Sequence, residues 1–200
     1  MNTKIINKLK YYMQITKQKC IDDLVNEGFF DPDCTIIGRQ GSECIEGHWP
    51  DDANYEELQF RKRTFANEVR AQSVLSRADT VIFRAEAWGL PDGIKESRPS
   101  MAKDRVERVI ISVEEHSGYC KAFFDIVRSP QGIFCGLKKK SIKYYSGRDI
   151  SGGICSAFLP PIQLYEVPEM RALALEFLNE TNEARVHDQL LRSLSTGAAR

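Results

Sequence analysis

The fold is decided by Asp79-Thr-Val-Ile-Phe-Arg-Ala-Glu-Ala-Trp88 and, after a gap, Arg105-Val-Glu-Arg-Val-Ile-Ile-Ser-Val-Glu-Glu115. Val81, Phe83, Ala85 and Ala87 fall on one set of alternate positions; Ile82, Arg84, Glu86 and Trp88 fall on the other. A period of two is the signature of a strand with two distinct faces. In the second run Val109, Ile111 and Val113 alternate with Arg108, Ser112 and Glu114. Ser117-Gly118 then supplies a turn, and from Tyr119 to Arg128 an apolar row of Cys120, Ala122, Phe124 and Ile126 opposes Lys121 and Asp125. Two alternating runs split by a short glycine-containing turn predict a hairpin. Ser129-Pro-Gln-Gly132 is a second turn, leading to a shorter fourth strand from Ile133 to Leu137. The expectation is a mainly antiparallel sheet over about residues 79–137.

Outward from the sheet, helical spacing takes over. Ile5, Leu9, Tyr12, Met13, Cys20 and Leu24 predict a helix over 3–27, ended by Gly28. Residues 29–52 read as loop-rich, with a short strand at Cys34-Thr-Ile-Ile37. A second helix spans 54–77, with Asp51, Asp52 or Asn54 as cap and Glu56 and Glu57 at the positive end of its dipole. Arg63, Arg70 and Arg77 recur along it every seven residues. Beyond the sheet, 138–153 reads as basic and turn-rich. Pro168 opens a C-terminal helix with a stripe of Met170, Leu173, Ala174, Phe177 and Leu178. Asn179 to Glu183 is expected to break it before a further short helix, and 195–200 to fray. Helices, then strands, then helices predict an α+β class: one domain over 1–194, with N-terminal and C-terminal helices packed on a central sheet.

Composition limits the function classes. The chain is 28% charged with no apolar run of membrane-spanning length, and no export signal is expected, so a cytoplasmic protein without membrane partners is predicted. Six cysteines without a C-x-x-C pair are expected to be reduced thiols. The net charge of zero conceals blocks. Residues 1–20 carry five lysines and no acid; 21–57 carry eleven acids against Arg39; and 138–148 carry Lys138, Lys139, Lys140, Lys143 and Arg148 with no acid. Such blocks either complement one another in the fold or mark partner surfaces.

Residues 89–104 join two strands without periodicity, far beyond the usual hairpin loop of about 2–5 residues. Carboxylates at its ends, Glu86, Asp104 and Glu107, are the candidate catalytic set for a metal-assisted reaction, with Arg98 or Arg105 on a phosphate. Arg84, Arg105 and Arg108 are the alternative partners for those acids, making a salt-bridged sheet face. This segment, Glu86-Ala-Trp88, Arg98-Pro-Ser100 and Asp104-Arg105-x-Glu107, resembles a pattern in small uncharacterised bacterial proteins. That resemblance implies only that loop and flanks belong together.

Trp88, Arg98, Arg105, Asp51, Asp52 and Glu56 are candidate partner-binding residues. Lys138, Lys139, Lys140, Lys143 and Tyr144 form a candidate nucleic-acid surface, since lysines neutralise phosphates and tyrosines stack on bases. The other reading is a lysine-guarded edge strand. Cys34, Cys44 and His48 lack the tight pair of a zinc knuckle, and no metal or other cofactor is expected. The leading expectation is a non-enzymatic binding or regulatory protein. Its acidic surface would meet a basic protein partner, as in inhibition of a nucleic-acid-binding protein, and nucleic acid itself would bind weakly. A metal-dependent enzyme at 86–107, acting on nucleic acid or a phosphorylated substrate, is the alternative.

Overall fold

The computed structural model describes residues 2–39, 41–49, 54–90, 105–146 and 158–197, with side chains described as far as 182. Helix α1 (Thr3–Asn26) comes first, then β1 (Asp33–Gly38), β2 (Gly41–Glu46), α2 (Tyr55–Ser76), β3 (Thr80–Gly89), β4 (Val106–Glu115), β5 (Gly118–Arg128) and β6 (Phe134–Ser146). A 3-10 turn (Ile162–Glu166) and α3 (Pro168–Gly197) complete it. The strands form one antiparallel sheet in the order β2-β1-β3-β4-β5-β6. The class is α+β, with helices flanking the sheet.

Helix α1 starts at Asn2, whose side chain accepts from the Lys4 N–H, and stops before Gly28, which takes the left-handed φ of 82°. Its buried stripe of Leu9, Met13, Cys20 and Leu24 packs on Val109, Ile111, Val113, Cys120, Ala122 and Phe124. The opposite face of the sheet carries α2. There Phe65, Ala66 and Val69 pack on Cys34, Ile36, Val81, Phe83 and Ala85, closed over by Phe158 and Leu159. Asn54 caps α2 by accepting from the Glu57 N–H at 3.0 Å. Helix α3 covers α2 through Ala71, Val74, Tyr165 and Ala174. Helix α1 thus lies on one face of the sheet, and α2, backed by α3, lies on the other.

Three local expectations need correction. The 29–52 segment contains a two-stranded hairpin, β1–β2, rather than one short strand in a loop. Strand β2 lies at the sheet edge and is mostly exposed on both faces, so its sequence has no hydrophobic alternation to betray it. Residues 138–146 are not turn-rich: they continue β6 to Ser146. A bulge explains the misreading. Phe123 pairs with Ser141 and Phe124 with Lys139, so Lys140 is an extra residue that shifts the alternation by one. Finally, α3 does not break at 179–183. No glycine or proline interrupts it there, and the Thr181 hydroxyl donates to the Phe177 carbonyl at 2.7 Å within the helix.

Candidate functional site

The end of the sheet where β3 and β4 leave for the 91–104 segment holds most of the residues singled out from sequence. Trp88 lies opposite Glu107 and Glu86 opposite Val109, so both carboxylates are on the α1 face, diagonal to each other. They do not meet the arginines expected from sequence. Glu107 accepts from Arg128 Nε at 2.6 Å, and Arg128 Nη2 also donates to the Gly28 carbonyl at 2.8 Å. Glu86 accepts from the Phe30 N–H at 2.7 Å. Burial raises the Glu86 carboxyl above its ordinary range, against the pull of that hydrogen bond and of Arg128. The pair therefore ties the segment after α1 to the sheet, with the Arg128 guanidinium as the partner of Glu107. Arg105 lies over the Trp88 ring, 3.9 Å from its centroid. Arg98 and Asp104 lie outside the described residues, as do Asp51 and Asp52.

Of the arginines on β3 and β4, Arg84 goes elsewhere. It is buried and donates to Asp33 through Nε at 2.7 Å, and it also binds Asp23. Arg108 donates to Asp125 at 2.6 Å. Much of the acidic block is consumed within the fold in the same way. Lys19 pairs with Asp33, Arg61 with Glu57, and Gln72 donates to Glu43. Glu56 stays exposed at the start of α2. The regular arginine row of α2 is also interrupted, because Arg70 donates to Asn67 and Arg77 is the left-handed C-cap of the helix.

Cys34 pairs with Ile45 while Cys44 pairs with Thr35, so the two thiols point to opposite faces of the hairpin. His48 lies 3.9 Å from Asp31, and among the described residues no three His, Cys, Asp or Glu side chains gather as a metal group. Cys20, Cys34, Cys44, Cys120 and Cys135 are free thiols. Burial pushes Cys20 and Cys120 up to about 12, and Cys34 upward as well, which leaves all three unreactive.

The basic segment has a more specific geometry. It is an edge strand, and the bulge at Lys140 divides it between two faces. Lys139 and Tyr144 lie opposite Phe124 and Cys120 and so fall on the α1 side. Burial raises the Tyr144 phenol from its ordinary value. Lys138 and Lys143 fall on the other side, with Tyr119, Lys121, Phe123 and Tyr145. There Lys121 is directly opposite Lys143. Next to them Tyr119 and Tyr145 stack, centroids 4.5 Å apart and planes 13° from parallel. The Lys121 ammonium leans over the Tyr119 ring at 5.6 Å. The one carboxylate in the row, Asp125, is already held by Arg108. Among the described residues, Lys121, Lys138 and Lys143 have no carboxylate within ion-pairing distance. Tyr119 and Lys121 were not legible as site residues because they join Tyr145 and Lys143 only through pairing across strands.

Comparison with protein-family models, curated proteins and solved structures finds no match. Among the described residues no helix is long and apolar enough to cross a membrane.

Proposed function

We propose that the protein is a non-enzymatic binding protein that holds single-stranded nucleic acid against the β5–β6 face. The observation that carries this reading is the direct opposition of Lys121 and Lys143. Like charges facing each other across strands destabilise a sheet. Guarding the edge needs a cation on β6 only, whereas Lys121 is on the inner strand β5. A phosphate between the two ammonium groups turns the repulsion into attraction, and bases can stack beside it on the tyrosine pair. The acidic block supports a surface for a basic partner less well, because Asp23, Asp33, Glu43 and Glu57 have partners inside the chain.

Binding should be weak and salt-dependent, in the range of about 10⁻⁴ to 10⁻⁶ M, with a log–log salt slope of about −0.7 per phosphate neutralised. The test is fluorescence anisotropy of a labelled single-stranded oligonucleotide at low salt. The Lys121→Glu/Lys143→Glu double variant should bind at least about tenfold more weakly. Lys138→Glu should weaken binding more than Lys139→Glu, because only Lys138 shares the tyrosine face. Equal binding by wild type and double variant would refute the assignment.

A further inference from the structure

At the other end of α2 a cleft of about 230 Å³ is lined by Arg39, Leu75, Ser76, Arg77 and Arg171. We infer that this cleft is a binding site for a single phosphoryl group, held by the guanidinium groups of Arg39, Arg77 and Arg171. The inference is independent of the oligonucleotide reading.

Three observations carry it. First, three arginines from separate parts of the chain line one small space. Arg77 pairs with Glu166 at 3.0 Å, an exposed contact. Among the described residues, Arg171 is held only by 3.4 and 3.5 Å contacts to the Val74 and Leu75 carbonyls, at the long limit of hydrogen bonding. The Arg39 side chain has no hydrogen-bond or ion-pair partner among the described residues. Arginine's planar donor fork suits phosphate oxygens, and one carboxylate does not neutralise three such forks.

Second, the backbone holds this arrangement at a cost. Arg77 caps α2 with φ 51° and ψ 56°, and it is the only non-glycine residue of positive φ among the described residues. Glycine is the usual occupant of that left-handed position. A side chain retained there against the local preference points to a use for the side chain. Third, Gly38 lets β1 run close against the end of α2. A Cβ there would overlap the Ser76 carbonyl oxygen, and the Arg39 N–H donates to that same oxygen at 3.3 Å. The missing side chain at 38 is what delivers Arg39 to the cleft.

Size selects the ligand class. Pockets for whole organic ligands usually hold about 300–1,000 Å³, so this cleft suits one phosphoryl group rather than a nucleotide. The group could come from free phosphate or from the end of a phosphorylated chain.

The test is calorimetric titration with inorganic phosphate at constant ionic strength, using wild type, Arg77→Gly and Arg39→Ala. Wild type should bind saturably, and each variant should bind about tenfold or more weakly. Arg77→Gly separates binding from folding, since glycine fits the left-handed backbone: its Tm should not fall. The Lys121→Glu/Lys143→Glu variant should bind phosphate as wild type does, whatever its effect on oligonucleotide. Comparing oligonucleotides with and without a 5′-phosphate distinguishes the two sources of the group. Absence of saturable binding to wild type, or equal binding by wild type and both arginine variants, would overturn the inference.

Discussion

Arg84 and the Lys121–Lys143 pair are cations on the same sheet with opposite fates. Arg84 is buried on the α1 face, and its bonds to Asp33 and Asp23 join β3 to β1 and to α1. The Phe30 ring covers it at 4.7 Å. Burial alone would lower the basicity of its guanidinium, but the hydrogen bonds to Asp33 and Asp23 outweigh that and raise it above the ordinary value. Lys121 and Lys143 oppose each other on the other face, at a part of the sheet that α2 does not reach. The difference follows from solvation. Taking a charge out of water costs several kcal/mol, so the fold must supply its partner. A charge at the surface is already solvated and gains about 0–1 kcal/mol from pairing, so the fold can leave it open. Open cations set opposite each other therefore say more about a ligand than about stability.

The largest expected effect breaks the buried side of that comparison. Arg84→Ala leaves the buried Asp33 with the half-exposed Lys19 in place of a buried guanidinium and should cost about 3–5 kcal/mol, read from urea unfolding. A loss below about 1 kcal/mol would place Arg84 among the surface charges instead. A smaller effect, of opposite sign, is expected on the open side. Lys121→Glu creates an opposed ion pair with Lys143 and should stabilise by about 0.2–1 kcal/mol while oligonucleotide binding falls. Loss of both stability and binding would mean that the lysine contributes to folding. The smallest effect concerns Glu86, whose folded-state pKa is raised by burial. Such a carboxyl favours the protonated folded form, so its stabilising effect is fully present below the unfolded pKa and is lost as pH rises through the folded one. Glu86→Gln keeps an oxygen for the Phe30 N–H and removes the buried charge. Its Tm should slightly exceed that of wild type at pH 7, and the gap should close as pH falls below the ordinary carboxylate range. A gap that widens in acid would reverse the sign of the argument.

Legibility in the sequence tracked regularity. Strands β3, β4 and β5 announce themselves because their alternation faces helices on at least one side. The stripe and terminal glycine of α1 and the Asn54 cap of α2 are equally local. Strand β2 and the second half of β6 were hidden, one by exposure on both faces and the other by the bulge at Lys140. Within the candidate sites, Glu86 and Glu107 were recognisable as neighbours, but not that Phe30 and Arg128 would occupy them.

By itself the sequence determined the class of the protein: periods of two and of 3.6 are local properties of the chain, and they specify strands, helices and their buried sides. It also determined that charge is arranged in blocks. Which charges meet was decided only by the tertiary structure. Arg84 finds Asp33 and Asp23 from 51 and 61 residues away. Lys121 and Lys143 meet through strand register, and a single extra residue at the bulge decides which lysines share their face. Arg39, Arg77 and Arg171 gather because a glycine lets a strand approach the end of a helix. Pairing of distant segments depends on how the whole core closes, and a hydrophobic pattern specifies burial without naming a partner.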